Sequence, residues 1–276
     1  MAWRPSTGTE ALAARAALLV EIRRFFGNRD VLEVTTPVLS GAGNTDPGIE
    51  PFELAAGCTR WLRTSPEYAM KRLLAAGSGD IYELGPVFRN GEAGRHHNPE
   101  FTLLEWYRVG WTYRQLMEEV AELVCDCGAR FGHQWRGVEC SYRELLQRHA
   151  GIDPLAAPDK DLRVRARELG LDPVGNEGFQ RDDWLDLLIS HIVQPALPAD
   201  TLTLVHDFPA SQAALARIRP GEPPLAERFE AFLGKLELAN GYQELTDAAE
   251  QRARFERENL RRAASGRRTA PCRARK

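Results

Sequence analysis

The chain has 276 residues, 43% hydrophobic and 27% charged, with a formal net charge of -3, which suits one large domain or one domain with a substantial insertion. A net charge so close to zero gives no overall field that would point to nucleic acid, no apolar run approaches the roughly 18 residues of a spanning helix, and no charged-then-apolar leader opens the chain, so the expected setting is cytoplasmic with no membrane partner. The five cysteines, Cys58, Cys125, Cys127, Cys140 and Cys272, are odd in number and lack paired zinc spacing, as free thiols in a reducing compartment do.

Thr7-Gly8-Thr9-Glu10 has capping-box spacing, and Leu12, Ala16, Leu19, Ile22 and Phe26 follow at helical intervals, predicting an amphipathic helix to about Asn28. Residues 31–34 read as a short strand ending before Pro37, which cannot donate to a ladder. Residues 58–64 form a second strand. Pro66 at the first helical position and Glu67 in the first turn then start a helix whose face carries Tyr68, Met70 and Leu73.

Residues 88–108, FRNGEAGRHHNPEFTLLEWYR, are two alternating apolar runs around a turn rich in Gly, Asn, Pro and charge, which predicts an antiparallel hairpin with its first strand over 80–88. In the second strand the period of two puts Phe101, Leu103, Glu105 and Tyr107 on one face. A face that only packed a core would not carry Glu105, because an unpaired buried carboxylate is costly. That face is expected to meet a ligand. Arg89 at the hairpin base, joined in the turn by Arg95, His96 and His97, can grip an anion such as phosphate through its forked donors.

Beyond Trp111 a helix is predicted to about Cys127, and Ser141 with Glu144 opens another. The stretch 128–200 reads as a mostly helical insertion punctuated by Pro and Gly; His133, His149 and His191 lie there without ligand spacing. Residues 201–206 form a β-branched strand. Two strand-like runs then meet near Gly234, carrying Glu230, Glu237 and Glu244 seven residues apart. Three carboxylates on one sheet repel unless cations sit among them. A strict period of two separates Glu237 from Asn240, Tyr242 and Glu244, so a bulge is expected, placed at Gly241. Asp247 to Glu250 opens a basic helix to about Ala264; from Gln251 to Lys276 there are ten Lys or Arg against two Glu.

The run from Phe88 to Arg108 resembles motif 2 of the class II aminoacyl-tRNA synthetases, most closely the lysine branch, in which an arginine opens the loop and HNPEFT-type residues close it. The first helix, strand and Pro37 resemble motif 1, the dimer-forming element, which implies a homodimer through these segments. The ELANG run with the Glu after it resembles the lysine-branch pattern as well. Only a few residues precede the first helix, leaving no room for the anticodon-reading OB-fold of lysyl-tRNA synthetases. The best resemblance is therefore to the elongation factor P lysyltransferases, which use ATP and Mg2+ to activate lysine or beta-lysine and pass it to a lysine of elongation factor P, with no tRNA.

The fold so implied is α+β, an antiparallel sheet flanked by helices, as a single catalytic domain over 1–276 with the insertion at 128–200 and an irregular basic tail at 267–276. By resemblance, Ser65, Pro66 and Glu67 line the amino-acid pocket, Glu67 facing the alpha-amine, while Asn240 holds the substrate carboxylate. Tyr107 and Glu244 hold its terminal ammonium, supported by Glu105. Arg89 grips the alpha-phosphate, Phe101 stacks on adenine, Asn90, Gly91, His97 and Asn98 complete the nucleotide contacts, Glu237 and Leu238 contact ATP, and Glu230 with Glu237 are the magnesium ligands.

Two departures stand out. The family has Glu directly after Arg-Asn, where this chain has Gly91 and then Glu92. The final RRTAPCRARK has no counterpart of motif 3, whose arginine grips the gamma-phosphate, so a shifted or early terminus and weak adenylate formation are expected, with lysine binding retained. A tRNA or other amide ligase, and a noncatalytic paralogue that binds a partner, are the alternative readings.

Overall fold

Alternating apolar residues around the Asn- and Gly-rich turn do zip together as a hairpin in the computed structural model, which describes residues 7–46, 48–56, 58–94, 97–173, 178–264 and 266. The cysteine at 272, Arg95, His96 and the tail 267–276 lie outside the described residues. The chain divides into two compact units, the described residues of Ile22–Gly110 with Asp247–Lys276, and those of Met1–Glu21 with Trp111–Thr246.

Helix α1 (Thr9–Gly27) is followed by β1 (Leu32–Glu33), β2 (Leu39–Ser40), β3 (Glu53–Ala56), β4 (Cys58–Leu62), α2 (Glu67–Ala75), β5 (Ile81–Phe88) and β6 (Glu100–Tyr107). Strand β5 pairs antiparallel with β6, from Ile81 opposite Tyr107 to Phe88 opposite Glu100, and parallel with β1. A second small sheet has the order β2-β4-β3. Phe26 anchors this unit, stacked on Tyr82 at 4.5 Å and edge-on to Trp106 at 5.4 Å. Both geometries suit the ring quadrupole.

A buried ion pair ties these strands together. Arg63, just after β4, donates from Nη1 to Glu83 Oε1 at 2.5 Å and from Nε to the Pro86 carbonyl at 2.9 Å. The other Glu83 oxygen accepts from Thr36 N at 3.0 Å and Thr36 Oγ1 at 2.7 Å. The Arg63 and Glu83 side chains are only 5% and 3% exposed. A Cβ on Gly85 would meet Arg63 Nη2 at 2.7 Å, so glycine is what lets the guanidinium approach the strand.

The other unit carries α3 (Tyr113–Arg130), β7 (Arg136–Ser141), α4 (Tyr142–Ala150), α5 (Asp159–Glu168), α6 (Arg181–Leu188), the short α7 (Gln194–Ala196), β8 (Thr201–Pro209), β9 (Ile218–Arg219), β10 (Leu225–Leu233) and β11 (Leu236–Tyr242). Capping boxes at Thr112/Gln115 and Ser141/Glu144 start α3 and α4; each satisfies two backbone donors that a helix start leaves unpaired. The five-stranded sheet runs β11-β10-β8-β7 with β9 on β10, and β7 is parallel to β8. The stretch 128–200 thus carries α4 to α7 and also gives the sheet a strand, β7. Tyr142, Leu146, Leu162, Trp184, Leu185 and Phe232 pack the helices onto that sheet.

The expected bulge exists, in a different place. Ala231 pairs with Ala239 but Phe232 pairs with Glu237, so the extra residue is Leu238 and not Gly241. The bulge turns Glu237 to the face shared by Glu230 and Asn240, which are directly opposite each other. Gly241 instead makes room for an aromatic ring, since a Cβ there would meet Phe229 at 2.5 Å. The chain ends its described structure with α8 (Ala248–Ala264), whose first turn is capped by Asp247 Oδ1 accepting from Ala249 N at 2.8 Å and Glu250 N at 2.9 Å.

Candidate active site

The hairpin face read from the sequence carries a polar cluster. Glu105 accepts at both oxygens, from Ser65 Oγ at 2.5 Å and from Tyr107 OH at 2.8 Å. Ser65 Oγ in turn accepts from Glu67 N at 3.0 Å at the start of α2, with Pro66 at the N-cap, one position before the helix proper. Glu67 Oε1 accepts from Lys71 Nζ at 2.6 Å, one helical turn on.

Glu105 keeps some solvent-facing surface, but its carboxyl group is enclosed. Burial first, and the nearby charge of Glu67 second, push its pKa up to about 7 against the opposing hydrogen bonds from Ser65 and Tyr107. Such a carboxyl is poised to be ionised by an incoming cation, since an opposite charge favours the charged form.

Arg89 follows β5 at the base of the turn. Its backbone N donates to the Pro99 carbonyl at 2.9 Å and its Nε to the Thr64 carbonyl at 3.3 Å. The guanidinium lies over the Phe101 ring, 5.1 Å from the centroid, and its Nη1 is 3.7 Å from Glu92 Oε1. Asn90 N donates to the Glu50 carbonyl at 2.7 Å. Gly91 has φ +83°, a left-handed turn position that glycine adopts without steric cost. That conformation accounts for the Gly before Glu92. The His97 carbonyl accepts from Gly94 N at 3.0 Å, and the side chains of His97 and Asn98 are exposed.

The unit containing β10 and β11 holds the remaining residues. Glu230 and Asn240 face each other across the two strands. Arg228 links them, with Nε donating to Asn240 Oδ1 at 2.9 Å and Nη2 paired with Glu230 Oε1. It also donates from Nη1 to the Gln212 carbonyl at 3.0 Å and lies 4.6 Å over the Phe208 ring. With its amide oxygen accepting from Arg228, Asn240 keeps its NH2 group as a donor. Burial and the charge of Glu237 raise the proton affinity of Glu230, and Arg228 opposes them. Glu237 and Leu238 are exposed, and the Glu244 backbone bridges to Ala216. Among the described residues no group of three or more His, Cys, Asp or Glu could hold a metal ion by itself.

Arg228, which joins Glu230 to Asn240, was not singled out from the sequence, although a signal was present. An arginine two residues before a glutamate in a strand shares its face, and it supplies the cation that the neighbouring carboxylates require. Lys71 was legible in the same way from its spacing to Glu67.

Comparison with known proteins gives the family of the chain. The family model of the class II tRNA synthetases (D, K and N) matches residues 1–269. The chain belongs to that family. It is similar to the elongation factor P--(R)-beta-lysine ligases of Erwinia tasmaniensis and Enterobacter sp. (strain 638), 48% identical to each, and of Yersinia enterocolitica, 47% identical. Each match spans 96% of this chain and 82% of the relative. The α+β fold of sheets and flanking helices is accordingly that of a class II tRNA synthetase domain.

Proposed function

We propose that this chain uses ATP to activate lysine or beta-lysine as an aminoacyl-adenylate and passes the aminoacyl group to a lysine side chain of elongation factor P. The observation that carries the reading is the Ser65–Glu105–Tyr107 cluster, a ready anionic seat for a substrate ammonium, in a chain similar to ligases named for elongation factor P and (R)-beta-lysine. A substrate without the second amine leaves that seat unpaired, which is a strong basis for rejection.

In the first step a substrate carboxylate oxygen attacks the alpha-phosphorus and the bond to the beta-phosphate bridging oxygen breaks, releasing pyrophosphate. In the second, the acceptor amine attacks the carbonyl carbon, AMP leaves with the electron pair, and the new amide nitrogen loses a proton. No side-chain nucleophile is involved, so catalysis rests on positioning and charge stabilisation.

Arg89 neutralises charge growing on the alpha-phosphate, and Phe101, beneath it, receives the adenine. Asn90, Gly91, His97 and Asn98 shape the turn around the phosphates. Pro66 and Glu67 border the amino-acid seat, Asn240 donates to the substrate carboxylate, Glu244 adds negative charge for the ammonium, and Leu238 contacts the nucleotide. Glu230 and Glu237, a hard-oxygen pair on one face of the sheet, would hold Mg2+. When bound, Mg2+ neutralises phosphate charge. We further propose a cytoplasmic homodimer formed through α1 and β1.

The test offers the purified protein ATP, Mg2+ and (R)-beta-lysine or lysine, with either elongation factor P or total tRNA as acceptor. Intact-mass measurement should find one aminoacyl residue added to elongation factor P, and labelled amino acid should stay off the tRNA. Charged tRNA beside unmodified elongation factor P would overturn the proposal.

The Glu105 carboxyl also sets a pH dependence. It holds its proton below about 7 and is ionised above, whereas a lysine ammonium stays charged to roughly pH 10. Lysine affinity should therefore strengthen on the order of tenfold between about pH 6 and 8 as the ionised fraction rises. Stability runs the other way. The folded value lies above the ordinary 4.5, so the folded state binds the extra proton, and ligand-free stability falls from about pH 4.5 to about pH 7. Glu105→Gln should flatten both curves, weakening lysine binding while raising the melting temperature near pH 8. A parallel fall in both quantities would contradict this role.

A further inference from the structure

The base of the turn that carries Arg89 is held from outside the hairpin. Two loop residues, Asn44 and Glu50, reach it by separate routes. Asn44 Nδ2 donates to Thr64 Oγ1 at 2.9 Å, and the Thr64 carbonyl accepts from Arg89 Nε at 3.3 Å. At the loop's other end, the Glu50 carbonyl accepts from Asn90 N at 2.7 Å. Arg89 thus sits between two anchor points on one loop.

That loop is itself locked by α8. Arg262 is only 1% exposed. It donates from Nη1 to the Asp46 carbonyl at 2.6 Å and the Ile49 carbonyl at 2.9 Å, and from Nη2 to Glu50 Oε2 at 2.7 Å. One turn earlier, Glu258 Oε2 accepts from Thr45 Oγ1 at 3.0 Å, and Phe255 packs edge-on against Tyr68 at 5.9 Å. A planar guanidinium can meet three acceptors spread over five residues of loop; a lysine ammonium is a single point charge on a flexible stem. The side chain of Glu50 is 38% exposed, so its ion pair is partly screened, and the two carbonyl bonds carry the constraint.

We propose that Arg262 is a positioning residue for the nucleotide half of the reaction. By fixing Asp46, Ile49 and Glu50 it holds the Glu50 carbonyl under Asn90 and Asn44 against Thr64, and so sets where the Arg89 guanidinium can be. This deepens the adenylate-forming reading above and rests on Arg89 meeting ATP. The hydrogen bonds of the amino-acid seat, from Ser65 and Tyr107 to Glu105, contain no atom of the loop.

The experiment measures binding of Mg-ATP and of lysine separately by calorimetry, for the parent and for Arg262→Lys, with far-ultraviolet dichroism confirming the fold. ATP affinity should fall about tenfold or more, as a small misplacement of a charged contact does, while lysine affinity stays within about twofold of the parent's. Unchanged ATP affinity in a folded variant overturns the proposal, and so does an equal loss for both ligands, which marks general loosening. Where Arg262→Lys fails to fold, Asn44→Ala, which cuts one link at a half-buried site, is read by the same criteria. Because the readout is binding, the result stands apart from elongation factor P modification: an unmodified acceptor would sink the transfer reaction without touching the loop, and the reverse holds as well.

Discussion

Glu83→Ala lowers the unfolding free energy by about 3–5 kcal/mol, the range for breaking a buried pair by removing one partner, and it does so without changing any group proposed to touch substrate. The guanidinium of Arg63 would keep the Pro86 and Thr36 carbonyl bonds but lose the carboxylate it pairs with, in a site where both side chains are almost fully buried. Thr36 would also lose the acceptor for its backbone N and its hydroxyl, and a buried donor left unmade costs its full desolvation. Urea denaturation followed by tryptophan fluorescence is the measurement. The control is the double change Arg63→Met with Glu83→Leu, which removes both charges and should recover most of the loss, because well-packed apolar groups often replace a buried ion pair at little cost. A double variant as unstable as the single would show that packing at Gly85 and not charge dominates.

Arg89→Ala reduces lysine-dependent pyrophosphate exchange by roughly 10²–10³-fold relative to the parent, equivalent to about 3–4 kcal/mol of transition-state stabilisation, as for the loss of one preorganised charge-stabilising donor. Arg89 is already aimed by the Thr64 carbonyl and by the Phe101 ring beneath it, so little reorganisation precedes its contact with the phosphate. Arg89→Lys should rescue only part of the rate, because an ammonium neither grips two oxygens in a fork nor stacks as a plane. Lysine affinity should be nearly unaffected in both variants, since the Glu105 cluster contains no atom of Arg89. Exchange that persists unchanged in Arg89→Ala would remove this residue from the mechanism.

Much of the hairpin was legible in the order of residues alone. Strand alternation is a local property, so Phe101, Glu105 and Tyr107 could be assigned to one face before any partner was known, and the Tyr107–Glu105 bond follows from that assignment. The bulge illustrates the opposite case. Parity along β11 called for an extra residue and the sequence placed it at Gly241, but the cross-strand register, Ala231 on Ala239 and Phe232 on Glu237, puts it at Leu238. Strand β7 was missed for a related reason: its residues are mostly exposed, so the hydrophobic alternation that announces a half-buried strand is absent, and pairing with β8 is what makes it a strand.

By itself the sequence determined the α+β character, the order of the main elements, the synthetase resemblance later borne out by family and relatives, and which hairpin residues share a strand face. Those properties depend on near neighbours, through periodicity, capping and turn chemistry. Only the tertiary structure decided which distant groups hold them in place. Arg63 on Glu83, and Arg262 on a loop more than two hundred residues away, are choices of partner, and an arginine's spacing along the chain does not name so distant an acceptor. The partner is selected when burial removes water and leaves each donor one affordable bond.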